Sequence, residues 1–288
     1  MKVGVALANG GARVDGGDLV RLAVRAEEAG LDSVWVMDRW LRPHAAVDMP
    51  GVPVPVVMPA ESYATVFDPI ELLTFIAART SRILLGTSAI NVLYHPPVLL
   101  ARRLATLDQL SGGRVIAGVT SGWMAEEFAV AGVPREHRGG GLDDHLAAMR
   151  AVWGPNPVRH EGSHYSIATS DIGPKPFQDR RIPLFVGFTT EAGARRAARI
   201  GDGIHPYRND VDGLAADLAK VRDSGKPVVL RTDVGAGIFS ADPASWGEDL
   251  LRLAGLGVDH VFVQLDADAD ARLDLLGEAL RAFRPVDQ

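Results

Sequence analysis

Short apolar runs with little polar alternation recur along the whole chain, and between them apolar residues return at helical spacing. The runs are KVGVALA (2–8), DSVWVMD (32–38), RILLGTSAI (82–90), RVIAGVT (114–120), PLFVGF (183–188), DGIHP (202–206), VVLRTDV (228–234) and HVFVQLD (260–266). Nearly continuous Val, Ile and Leu is the pattern of strands buried on both faces of a parallel sheet. Helical patterns follow at 18–29, 68–78, 97–110, 123–131 continued by 142–152, 190–199, 211–223, 243–254 and 270–283. In one of them Pro96 and Pro97 open a helix, Leu99, Leu100, Leu104, Leu107 and Leu110 recur at helical spacing, and Gly112 and Gly113 stop it. Eight strands alternating with eight helical segments predict an α/β fold, a TIM (β/α)8 barrel. A faint internal echo agrees: AEEAGLDSVWVMD, ARIGDGIHP and RLAGLGVDHVFVQLD each run from helix through glycine into a strand. A doubly wound open sheet is the alternative, and the lack of an early Gly-x-Gly-x-x-Gly fingerprint weighs against it.

Two insertions, about 39–67 and 153–181, break the alternation without marking a second domain, so residues 1–288 read as one barrel. The first follows a strand end and would lie over the C-terminal mouth, where barrels place their chemistry. The second contains HEGSHYSI, which predicts a hairpin whose His160 and His164 face solvent. At 288 residues with 47% apolar content the chain can bury a large core. No run reaches the length of a membrane span, and MKVGVAL enters a strand without a signal-peptide layout, so no membrane association and a cytoplasmic location are expected. A net charge of −6 with no basic face argues against nucleic acid. With no cysteine there are no disulfides, thiolate metal sites or cysteine nucleophiles. The eight histidines form no HExxH pair, so no metal is expected, and no Gly-x-Ser-x-Gly elbow supports a hydrolase.

The strand ends TSAIN and TSGW, together with AEEAGLDSVWVMD, the GPKP loop and PLFVGFTTEAGARRAARIGDG, resemble the bacterial luciferase-like superfamily of flavin and deazaflavin oxidoreductases. The resemblance implies a TIM barrel with insertions that binds its cofactor at the C-terminal mouth. It implies coenzyme F420 as cofactor, with FMN as the alternative, and a hydride passed between the deazaflavin and a small organic substrate. The alternatives are a two-component FMN monooxygenase served by a flavin reductase and a non-catalytic flavin-binding protein. Family members are often dimers, so a homodimer is expected.

By position, the resemblance places Ser88 and Ala89 at a bulge with a non-prolyl cis peptide against the ring, and Asp38 and Asn91 beside it. Ser121, Gly122 and Glu126 fall where the ribityl chain and ring edge bind, with Ser121 also placed to cap the following helix. Gly187, Phe188, Thr189 and Thr190 precede a helix whose free amides suit a phosphate, while Arg195, Arg196 and Arg199 read mainly as surface charge. Arg39 stands where sugar-phosphate dehydrogenases of the group carry histidine, and Trp123 where they carry glutamate, so that mechanism is in doubt. Arg39, Trp40 and Trp123 are then substrate-side candidates, and His44, Glu61 and His95 the candidates for proton transfer, with Tyr94 beside them.

Overall fold

The computed structural model describes residues 1–49, 52–208, 210–265 and 269–284. Strand and helix alternate from the first residues onward. The chain begins with β1 (Lys2–Ala6), α1 (Gly16–Glu28) and β2 (Ser33–Val36), followed in the first insertion by the short α2 (Ala60–Tyr63). Next come α3 (Pro69–Ala77), β3 (Leu84–Asn91), α4 (Pro97–Ser111), β4 (Val115–Thr120), α5 (Ala125–Ala131) and α6 (Gly140–Trp153). The second insertion is the hairpin β5 (Val158–Glu161) and β6 (Ser166–Ser170). The barrel resumes with β7 (Leu184–Phe188), α7 (Glu191–Ile200), β8 (Gly203–Pro206), α8 (Val211–Val221), β9 (Val229–Asp233), α9 (Trp246–Gly255), β10 (His260–Gln264) and α10 (Ala269–Phe283).

Eight of these strands pair in parallel in the order β8, β7, β4, β3, β2, β1, β10, β9. Parallel bridges from Ile204 to Val228 and from Tyr207 to Arg231 join the two outer strands, so the sheet closes on itself as a TIM barrel. All eight expected strands are present; β2, β4, β7, β8 and β9 begin one residue later than the apolar runs, and β3 runs one residue past its own to Asn91. The α4 boundaries follow from residue type. Pro97 is the first helical residue, and Gly112 ends the helix at φ 69°.

The barrel interior is filled from below. Trp35 and Phe262, both fully buried, stack at 4.3 Å between ring centroids and 9° between planes. A Cβ on Gly86 would stand 2.3 Å from the Trp35 indole, so only glycine on β3 admits that ring. Ala6, Ile116, Phe185 and Val229 complete this layer. Beneath it the Ser33 hydroxyl bridges the Trp35 indole N–H at 2.7 Å and His260 Nε2 at 2.6 Å. Burial pushes His260 down to about 3. A much larger apolar shell lies between the outward strand faces and the helices.

The two insertions go to different places. The first carries its own small core, in which Val47, Met58 and Met124 pack with Leu41, Tyr63 and Trp123, and this holds it over the mouth. The second is fastened to the side of the barrel. Asp108 of α4 is fully buried, pairs with Arg180 at 2.8 Å and accepts from Phe177 N at 2.9 Å. His164 is exposed as expected, but His160 is half-buried rather than solvated. His160 Nε2 lies 2.7 Å from Asp144 Oδ1, and Asp144 also accepts from the His164 and Tyr165 backbone amides, so a buried carboxylate on α6 organises the hairpin turn.

Candidate functional site

Above the Trp35–Phe262 layer the inward side chains change from large and apolar to small or polar. Phe185 is followed two residues on by Gly187, Ile116 by Gly118, Val229 by Arg231, and on β8 Gly203 by His205. Removing bulk from one level of a packed barrel leaves a cavity. It measures about 520 Å³ and opens at the C-terminal mouth.

One wall is the end of β3. The register against β4 shifts between Thr87 and Ile90, and the Ser88–Ala89 peptide at that bulge is cis. Ser88 Oγ lies 3.0 Å from His205 Nε2, and His205 Nδ1 lies 2.8 Å from the Val229 carbonyl. A carbonyl only accepts, so Nδ1 carries the proton, Nε2 accepts, and Ser88 donates to it. Burial pushes His205 down to about 4, so the ring is neutral at physiological pH. The lone pairs of Ser88 are thereby left for the cavity.

The opposite wall is β4, β7 and α7. Thr120, Ser121, Gly122 and Trp123 line the cavity, as do Gly187, Phe188, Thr189 and Thr190. Gly122 has φ 76°, and a Cβ there would lie 2.4 Å from the Tyr94 hydroxyl, so this turn approaches Tyr94 as only glycine can. Burial and the nearby Glu127 carboxylate raise the proton affinity of Tyr94, which stays a phenol. Thr190 caps α7 by accepting from Gly193 N at 3.2 Å, and Thr190, Ala192 and Gly193 of this helix end line the cavity.

Four arginines, Arg39, Arg138, Arg196 and Arg231, also line it, and no carboxylate does among the described residues. Arg39 is the best paired: it donates to Glu127 Oε2 at 2.8 Å, lies 5.0 Å from the Trp123 ring centroid, and is 11% exposed against 1% for Glu127. Burial raises the pKa of Glu127, and Arg39 opposes that rise. Nε atoms of Arg39, Arg138 and Arg231 are buried without a hydrogen-bond partner. Arg196 bonds the Arg138 carbonyl at 3.1 Å and Asp143 at 3.3 Å, while Arg195 and Arg199 pair outside the cavity with Glu191 and Asp143.

The sequence candidates therefore separate into two sets. Arg39, Ser88, Ala89, Ser121, Gly122, Trp123, Gly187, Phe188, Thr189 and Thr190 come together around the cavity. Asp38 and Asn91 lie behind its wall: Asp38 Oδ2 accepts from Asn91 N at 3.1 Å, and Asn91 Oδ1 accepts from Thr120 at 2.8 Å. His95 lies 3.9 Å from Asp38 and packs edge-on against Trp40 at 5.2 Å, and neither lines the cavity. His44 and Glu61 are exposed on the first insertion, and Glu126 is half-buried on α5 outside the lining. Ser121 does not cap α5, whose N-cap position is Met124 with no side-chain hydrogen bond. His205, Arg231, Arg138 and Glu127 were not among the sequence candidates. A histidine inside GIHP and an arginine inside VVLRTDV, each at an inward strand position, were the available signals.

Fold and site together define a barrel protein with an arginine-lined cavity at its C-terminal mouth. The family model for luciferase-like monooxygenases matches residues 1–241, and the chain belongs to that family. It is 35% identical to an uncharacterized protein of Mycobacterium tuberculosis over 74% of this chain and 75% of that one. It is 34% identical to an F420-dependent glucose-6-phosphate dehydrogenase of Amycolatopsis mediterranei over 65% of this chain, spanning about half (52%) of that relative. An FMNH2-dependent dimethylsulfone monooxygenase of Pseudomonas putida is 30% identical over 44% of this chain and 36% of its own. The fold also matches an F420-dependent secondary alcohol dehydrogenase solved with an F420–acetone adduct, at TM-score 0.78 and 19% identity over 98% of this chain and 99% of that one.

Proposed function

We propose that this protein is an oxidoreductase that uses coenzyme F420 to pass a hydride to or from a small organic substrate such as an alcohol, carbonyl, imine or activated alkene. The observation that carries this reading is the cavity itself, with Ser88–Ala89 in one wall, a capped helix N-terminus at Thr190, and four arginines but no carboxylate in its lining among the described residues. The residues fit such a cofactor. Gly187 lines the cavity, and a Cβ there would push into Thr120 Cγ2 at 2.7 Å, so glycine lets both lining residues keep their places. The orphaned Nε of Arg138 is a donor awaiting an anion.

When bound, the deazaflavin supplies the hydride chemistry. Ser88 and Ala89 would support the ring, Ser121 and Gly122 its edge, and the α7 amides with Thr189 and Thr190 the phosphate. Arg138 and Arg196 sit beside the α7 end and would take further acidic groups of the cofactor tail. The protein's part is orientation and local positive potential, which lets a chain of net charge −6 accept an anionic cofactor. F420 is favoured over FMN on two grounds. The F420-dependent relative aligns over a larger share of the chain, and arginines beyond the phosphate cradle suit a ligand with more acid than one phosphate. On the FMN reading, a reductase partner would be needed. Two assays separate the readings: F420 absorbance followed with a panel of secondary alcohols and ketones, and oxygen uptake with FMNH2 supplied by a reductase. F420 turnover without FMNH2-dependent oxygen uptake is expected. The converse result overturns the proposal.

A further inference from the structure

A second, smaller cavity of about 270 Å³ adjoins the first and shares Tyr63, Ser88 and Arg231 with it. It lies on the β1, β2 and β10 side of the mouth, floored by the Trp35–Phe262 stack and covered by Glu61–Tyr63 of the first insertion. A ring seated against Ser88 would therefore face a separate compartment of substrate size. Arg231 stands at the junction. It occupies an inward position on β9, two residues above the core residue Val229, and pairs across the sheet with Phe262. Among the described residues its ion pair is with Asp233, long at 3.4 Å with both partners about a third exposed, so it neutralises little. Its Nε is buried without a partner, as is that of Arg39, but Glu127 meets the Arg39 charge at 2.8 Å whereas Asp233 stands 3.4 Å from Arg231. The neighbouring His205 is neutral and so adds no second positive charge beside Arg231. A half-buried guanidinium left this incomplete is the expected state of a group whose remaining donors a bidentate oxyanion satisfies.

We propose that the smaller cavity is the substrate compartment and that Arg231 selects substrates bearing an oxyanion, a carboxylate or a phosphate, beside the reacting centre. The proposal rests on the larger cavity being the cofactor seat. Its test is calorimetric titration of the F420-saturated and cofactor-free protein with benzoate, phenyl phosphate and the neutral isostere benzamide. Benzoate or phenyl phosphate should bind at least tenfold tighter than benzamide. Arg231→Gln should erase that preference and Arg231→Lys retain part of it, with F420 affinity within threefold of wild type and thermal unfolding unchanged. The two anions separate a carboxylate from a phosphate substrate. Equal binding of charged and neutral probes overturns the proposal while leaving the cofactor reading intact. Loss of F420 binding in Arg231→Gln also overturns it, by placing Arg231 in the cofactor seat. If wild type fails to bind F420 but the cofactor-free protein still prefers benzoate through Arg231, the cofactor reading falls and the anion site stands.

Discussion

The lower and upper halves of the barrel interior are built from the same strands, two residues apart, and do opposite things. Below, Trp35, Phe262, Phe185 and Ile116 exclude everything but one another. Above, Gly187, Gly118, His205 and Arg231 leave space and present polar atoms. Because side chains on a strand alternate faces, one step of two residues keeps the direction and changes only the residue type. Packing and chemistry are therefore written at successive inward positions of each strand, and substitutions at the two levels should fail in different ways.

Trp35→Ala should do most damage, costing about 3–5 kcal/mol of stability by opening a void in the lower layer. Its check is a denaturant titration, and an effect below about 1 kcal/mol would deny the layer its role. Gly187→Val should weaken cofactor binding by about 100-fold, or about 2.7 kcal/mol, and also cost about 1–3 kcal/mol of stability, because its Cβ meets Thr120 Cγ2 and pushes it aside. Unchanged affinity in an equilibrium titration would mean that Gly187 does not face the cofactor. Glu127→Ala leaves Arg39 without its acid at the mouth. A loss of about 2 kcal/mol is expected, less than for a fully buried pair because Arg39 is 11% exposed.

Acid should act on both levels at once, through histidines that burial holds neutral. Burial pushes His205 and His145 down to about 4 and His260 to about 3, from an ordinary 6.5. Between pH 6.5 and 4 the unfolded chain binds more protons than the native one, so stability is complete above pH 6.5 and is lost as pH falls. Unfolding midpoints measured from pH 7.5 to 4.5 should drop, and replacing His260 should flatten that slope. The smallest effect belongs to Thr190→Ala, which removes the α7 cap for about 1 kcal/mol.

The barrel was legible in the sequence because each strand is an apolar run and each helix carries its own stop. The cofactor wall was legible only through resemblance, since TSAIN and TSGW are ordinary strand ends taken alone. His205 and Arg231 were missed for a physical reason: each sits inside a short strand where a polar residue usually faces outward, and the sequence does not say which face is the barrel interior. The buried pair Arg39–Glu127 was half seen. Arg39 was noted as a departure from its family position, whereas Glu127 reads as one more acid in the first turn of a helix until the fold brings the two together, 88 residues apart in sequence.

The claim on which the rest depends is that the upper level is the seat of a deazaflavin. Equilibrium titration of the purified protein with coenzyme F420, and separately with FMN, tests it directly. Tight F420 binding, at least tenfold stronger than FMN and abolished by Gly187→Val but not by a conservative Trp35→Phe, is the predicted result. Tight FMN binding with no F420 binding, or F420 binding indifferent to Gly187, would contradict it.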